Sequence, residues 1–179
     1  LWGMFFKDCK AMSIYGTERV LVENCHARRM ASECFYSQGP GRGTGSQPAG
    51  YTKAITYSRC SVEDCARNAF NNNDESENTS VLYCRICDVG GCSWEGASRF
   101  VRFIGNYVRN GGPVAMGNIR SRVTRLERLG AAQHIVADNV FESKCPYVGC
   151  MIRAQGGATQ MVIRNNLFVN FNSSGIEVN

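Results

Sequence analysis

One short phrase recurs six times along this chain, and that recurrence limits what it can fold into more than any other feature. Its clearest copy is Met161 to Val178, MVIRNNLFVNFNSSGIEV. Phe100 to Asn110 (FVRFIGNYVRN) and Gln133 to Ser143 (QHIVADNVFES) repeat it. Arg19 to Arg29 (RVLVENCHARR), Ala54 to Asp64 (AITYSRCSVED) and Thr79 to Asp88 (TSVLYCRICD) repeat it with Cys in place of the key Asn. Taking that residue as the pivot, the copies are centred on Cys25, Cys60, Cys84, Asn106, Asn139 and Asn166, which lie 35, 24, 22, 33 and 27 residues apart.

Three and five residues before each pivot the chain is mostly apolar, as in Val22 and Val20 or Phe103 and Val101. Two residues after it come Ala27, Val62, Ile86, Val108, Phe141 and Phe168. Spacing by two on either side of a short polar turn describes two strands meeting at a corner, each with one face inward. A third β-like run follows each corner: Ser32 to Tyr36, Asn68 to Phe70, Cys92 to Trp94, Val114 to Met116, Cys150 to Ile152 and Ile176 to Val178. A repeat of this length with variable insertions marks a solenoid. Three strands per repeat predict an all-β, right-handed parallel β-helix of about six coils, stacked at the ~4.8 Å spacing of neighbouring strands. Asn at the pivot suits such a stack, because it tolerates the left-handed conformation and its amide can bond to the same amide one coil away. Phe5 to Ile14 reads as the tail of an incomplete first coil.

The insertions follow the third run. Gln38 to Thr52 is rich in Gly and Pro and reads as an extended loop. Asn71 to Glu77 (NNNDESE) reads as a polar, acidic loop. Gly117 to Ala132 carries Val123, Leu126 and Leu129 at helical spacing, with Asn118 as a cap and Gly130 as a stop, and predicts a short helix. Loops gathered on one side of a rigid scaffold are where function usually sits.

With 179 residues, 44% of them hydrophobic and 20% charged, the chain has material for one domain, residues 1–179, with a sizeable core. No run is long and apolar enough for a transmembrane helix. The first and last residues read as interior sequence, so the expectation is a piece of a longer chain. The ten cysteines invite a disulfide framework. Three of them occupy the pivot position, however, which implies a buried stack of mostly free thiols. Cys84 and Cys87 form a CxxC without a second one, which does not make a zinc site.

The phrase V-x-I-x-N-N-x-F-x-N followed by G-I-x-V resembles the pectate-lyase-like β-helix superfamily from about Val20 to Val178. The resemblance implies a carbohydrate-active protein with a sugar chain lying along the third-strand sheet, and an extracellular or periplasmic location. The activity motifs of the polygalacturonase-like hydrolases and of the alginate epimerases are absent, and no lyase signature carries over residue by residue. The leading expectation is a lyase on an acidic polysaccharide. The alternative is a non-catalytic binding or adhesive module, or a tailspike-like segment.

Candidate residues follow from chemistry. Arg120, Arg122 and Arg125 lie in the strongest basic run, and Arg presents a rigid fork to carboxylates. Arg120 and Arg122, with His26 as a base, form the expected catalytic set. Trp94 could stack on a sugar, and Glu95, Asn118 and Arg125 could bond it. Asp74, Glu75 and Glu77 form an oxygen-rich cluster that would suit Ca²⁺. The bland alternatives are a solvated acidic turn, the wet face of a helix, and core filling by Trp94. His134, the other histidine, falls on an inward position and reads as structural. A net charge of +5 without aromatics among the arginines excludes nucleic acid as the leading partner.

Overall fold

Each apolar-alternating run becomes a strand, and the strands line up with the strand three places later in the chain. The computed structural model describes residues 10–38, 52–116, 132–144, 150–154, 159–171 and 174–178, with only the backbone of 73–75, 97, 132, 150 and 159. Among the described residues nineteen strands are formed and no helix occurs.

The first stack contains β2 (Glu18–Glu23), β5 (Lys53–Ser58), β8 (Ser80–Leu82), β11 (Arg102–Ile104), β14 (Ala132–Ala137) and β17 (Thr159–Arg164). The second contains β3 (His26–Met30), β6 (Ser61–Cys65), β9 (Arg85–Val89), β12 (Tyr107–Arg109), β15 (Val140–Glu142) and β18 (Leu167–Val169). The third contains β4 (Phe35–Gln38), β7 (Phe70–Glu77), β10 (Cys92–Arg99), β13 (Gly112–Met116), β16 (Cys150–Ala154) and β19 (Ser174–Val178), with β1 (Met12–Tyr15) against β4. All pairings are parallel, and the first and third stacks touch where Lys53 of β5 meets Glu77 of β7. The predicted helix within Gly117 to Ala132 and the loop after Gln38 lie outside the described residues.

Register makes the core a set of like-on-like columns. Val22, Tyr57, Val81, Phe103 and Val136 stack in the first sheet, and Ala27, Val62, Ile86, Val108 and Phe141 in the second. The third supplies Phe35, Phe70, Trp94, Val114 and Ile152. All are buried in one cluster. Burial alternates with position: Val22 is 5% exposed while its neighbour Leu21 is 62% exposed. Aromatic rings reinforce the columns, Phe35 lying on Phe70 at 5.1 Å and Phe141 on Phe168 at 5.4 Å.

The pivots carry a hydrogen-bonded ladder. Asn106 Nδ2 donates to Asn139 Oδ1 (3.1 Å), and Asn139 Nδ2 to Asn166 Oδ1 (2.8 Å). The same oxygens accept backbone N–H groups of the preceding pivot, Asn106 N at 2.8 Å and Asn139 N at 3.1 Å. Each amide also donates to the carbonyl three residues before the preceding pivot: Val81, Phe103 and Val136 at 3.0, 3.0 and 2.9 Å. The expectation that the pivot itself is left-handed needs correction. Among the described residues every non-glycine with positive φ sits six before, one before or four after a pivot, with φ of 48 to 61°. Arg19, Tyr83, Phe100 and Gln133 are among them. The pivot Asn is chosen for its amide, and the corner is turned by its neighbour. Where that neighbour is Gly105 (φ 70°), a Cβ would lie 2.6 Å from the Tyr83 ring one repeat away.

A second correction concerns Asn71 to Glu77. It is not a loop but most of β7, whose ends pair with β10 across a register shift between Gly96 and Ser98. Its polar composition is accommodated because Asn72, 1% exposed, is bonded inside the core. Asn72 Nδ2 donates to Ser98 Oγ (3.0 Å) and Thr79 Oγ1, and Asn72 Oδ1 accepts from Ser37 Oγ (2.9 Å).

Candidate functional site

An open groove lies where the second stack ends and the chain turns toward the third. The residues four after the pivot, Arg29, Asp64, Asp88 and Asn110, come from four consecutive repeats. All four have positive φ, because this corner ends the strand with a left-handed step. Their column edges a groove of about 600 Å³ floored by Met30, Cys65, Val89 and Gly90. Gly90 is required there: a Cβ would lie 2.7 Å from the Ala66 carbonyl oxygen of the preceding repeat.

The charges along the groove are held in place from the side. Asp88 Oδ1 accepts from Asn110 Nδ2 (2.9 Å) and Asp88 Oδ2 from Arg109 Nη2 (2.6 Å). The Asn110 bond first, and the Arg109 guanidinium next, hold the Asp88 carboxyl below the usual carboxylate range. Asn110 Oδ1 in turn accepts Lys144 N (3.0 Å). Arg29 is exposed and has no ion-pair partner among the described residues, whereas its neighbour Arg28 pairs with Glu63 (3.4 Å). Such a row offers two carboxylates and an amide to hydroxyl groups, and one free guanidinium to an anion.

Of the residues singled out from sequence, the described ones lie on different strands and faces. His26 lies on the outer face of β3, exposed, with Nδ1 in a hydrogen bond to Ser61 Oγ (2.7 Å). Trp94 and Glu95 are adjacent in β10 and therefore face opposite sides of the sheet. Trp94 is 0% exposed in the core, with no ring face open to a sugar. Glu95 faces outward and accepts from Asn68 Nδ2 (2.6 Å) and Asn71 Nδ2 (3.4 Å). On the same outward column Tyr36, Asn71 and Ala115 are buried. Asp74 and Glu75 lie in β7 without described side chains, and Glu77 ends that strand half-buried. Among the described residues no three His, Cys, Asp or Glu side chains are grouped to hold a metal ion. Asn118, Arg120, Arg122 and Arg125 lie outside the described residues.

Sequence reading singled out none of Arg29, Asp64, Asp88 and Asn110 as candidates. The available signal was positional: each stands four residues after a pivot, so the column could be assembled once the repeat was in register.

The seven described cysteines Cys25, Cys34, Cys60, Cys65, Cys84, Cys87 and Cys92 are free thiols. No helix among the described residues is long and apolar enough to cross a membrane. No protein-family model, no curated protein and no solved structure matches the chain.

Proposed function

We propose that this chain is a right-handed parallel β-helix that binds an acidic polysaccharide along the corner after its second stack. Two features support the architecture. The chain visits the three parallel stacks in fixed rotation, and crossovers between parallel strands of a sheet are overwhelmingly right-handed. The observation that carries the function is the column Arg29, Asp64, Asp88, Asn110. Successive members are one strand spacing, ~4.8 Å, apart. That is close to the rise of an extended sugar chain per ring, so a glycan running along the stack meets one polar side chain per residue. Arg29 gives the preference for a uronate or sulfate over a neutral sugar.

Between the two functional classes, the described geometry favours binding without catalysis. Asp88 is fixed as an ionised acceptor by Asn110 and Arg109, which suits a hydroxyl-binding group and not a proton donor. One observation favours the lyase reading. Ser61 holds Nδ1 of His26 on the strand that also carries Arg28 and Arg29. That would orient the imidazole as a base beside cations able to neutralise a uronate. The lyase reading also retains Arg120 and Arg122 as carboxylate ligands, with Ca²⁺ as its cofactor.

Calorimetric titration with uronic-acid oligosaccharides and with a neutral glucan tests the binding. The acidic chain should bind, the neutral one should not, and Arg29→Ala should weaken binding about tenfold. Equal affinity for both would remove the acidic preference, and no binding to either would sink the proposal. Ultraviolet absorbance of unsaturated uronate product, measured with and without Ca²⁺ on the same samples, decides between module and lyase.

A further inference from the structure

A second recess, of about 240 Å³, lies where the chain enters the first stack in repeats four to six. One wall is Phe100, Gln133 and Gln160, each six residues before its pivot. The other is Arg102, Ile135 and Val162, which stand in register on β11, β14 and β17. All six are exposed or half-buried, with buried His134 between the walls. The first wall makes the same left-handed step in every repeat, with φ of 55, 61 and 54°. Both walls therefore advance by one strand spacing, ~4.8 Å, per repeat.

The walls differ in chemistry. The first is an aromatic ring followed by two amides, and the second a guanidinium followed by two aliphatic side chains. Val162 is 48% exposed, a large apolar group left in water. Arg102 is exposed, has Ser80 and Ile135 as its register neighbours, and has no ion-pair partner among the described residues. None of the residues lining the slot is acidic. The Arg99 guanidinium carbon lies 5.1 Å from the Phe100 ring centroid and steadies that ring. Arg99 itself stands in register with Glu77, which leaves Arg102 as the slot's cation.

We propose that this slot binds a small aryl carboxylate, its ring against Ile135 and Val162 and its carboxylate on Arg102. The guanidinium fork takes both carboxylate oxygens, and the aliphatic wall removes the ring from water. The Gln133 and Gln160 amides offer donors and acceptors to polar substituents on the ring. A neutral ring would leave the cation unused, and a carboxylate without a ring would leave the aliphatic wall wet. The volume is below the ~300–1,000 Å³ of a drug-sized site, so the occupant is about one ring in size. The slot belongs to a different corner from the Arg29 groove and does not depend on glycan binding there.

The test is an amide-resolved NMR titration of the full chain with benzoate, with benzyl alcohol and acetate as neutral and ringless counterparts. Benzoate should shift resonances of β11, β14 and β17 and bind about tenfold more tightly than either counterpart. Arg102→Gln should weaken benzoate about tenfold and leave benzyl alcohol unchanged. Val162→Ser should weaken both aromatic ligands alike. Arg29→Ala should leave benzoate affinity unaltered, which separates the slot from the groove. The ranking of the three ligands on the wild type stands by itself should a variant fail to fold. No shift in these strands, equal affinity for all three ligands, benzoate affinity kept in Arg102→Gln, or its loss in Arg29→Ala would each overturn the proposal.

Discussion

The two halves of the pivot ladder solve the same problem with different side chains. In repeats four to six, Asn106, Asn139 and Asn166 both donate and accept. In repeats one to three, the thiols of Cys25, Cys60 and Cys84 stand at the same position. The thiols do not abandon the pattern. Cys60 Sγ donates to Val22 O (3.4 Å) and Cys84 Sγ to Tyr57 O (3.7 Å), the carbonyls equivalent to those the amides use. What the thiol lacks is a strong acceptor. Asn106 Oδ1 takes the Cys84 backbone N–H at 2.8 Å, and sulfur is a weak substitute for that oxygen. The Asn half is thus tied by short amide bonds, and the Cys half by packing with long sulfur contacts.

The sharpest way to break the comparison is to truncate one pivot in each half. Asn139→Ala removes the acceptor of Asn106 N and Asn106 Nδ2 and the donor to Phe103 O, all at a site 1% exposed. Orphaned buried polar groups cost roughly 1–3 kcal/mol each, so a loss of about 4 kcal/mol is expected in urea unfolding. Cys60→Ala, equally buried, removes only a small apolar group with long contacts and should cost about 1 kcal/mol. Equal losses would mean that the amide ladder is ornamental.

Acid separates the halves by a different route. The position five before the pivot is Val20, Ile55 and Thr79 in the Cys half, and Val101, His134 and Met161 in the Asn half, so the one histidine falls there. His134 is 1% exposed, neither ring nitrogen has a hydrogen-bond partner among the described residues, and burial lowers its pKa to about 4. Its folded pKa thus lies below the unfolded value of about 6.5. The native state stays neutral while the unfolded chain takes up the proton. Full stability therefore holds above pH ~6.5 and falls as pH drops toward ~4, by about 3 kcal/mol in total. His134→Val, matching Val101 in the repeat before, should flatten that slope in denaturant unfolding measured across this range. Hydrogen exchange in the wild type should show the Asn half loosening first.

Much of this was legible in the sequence because a strand repeats every two residues and each repeat carries one pivot. Val22, Phe103 and Phe141 fell inward as their spacing required, and the Asn ladder followed from having one amide per repeat. The corners were not legible. Arg19, Tyr83 and Phe100 have no local preference for a left-handed backbone, and stacking on the neighbouring repeat imposes it. Asn71 to Glu77 read as a loop because composition does not reveal that Ser37, Ser98 and Thr79 wait inside to bond Asn72. The groove escaped for a related reason. Arg29, Asp64, Asp88 and Asn110 share a position and not a residue type, so they form a row only after the repeats are stacked.

The mildest change sharpens the comparison from the other side, by extending the amide ladder into the Cys half. In Cys84→Asn the new Oδ1 would face the Cys60 backbone N–H, the new Nδ2 would reach Tyr57 O, and Asn106 Oδ1 would receive a second donor. Those are the partners that Asn106 and Asn139 already have one repeat apart. Against them stands the loss of the Cys84 Sγ contact with Leu82 O (3.4 Å) and the extra volume of an amide at a site 2% exposed. One net buried hydrogen bond is worth about 1 kcal/mol, so Cys84→Asn should stabilise by up to about that much. A loss instead would show that the corner at repeat three is too tight for an amide. Cys would then be there for its size, and the boundary between the halves would be set by space, not by hydrogen bonding.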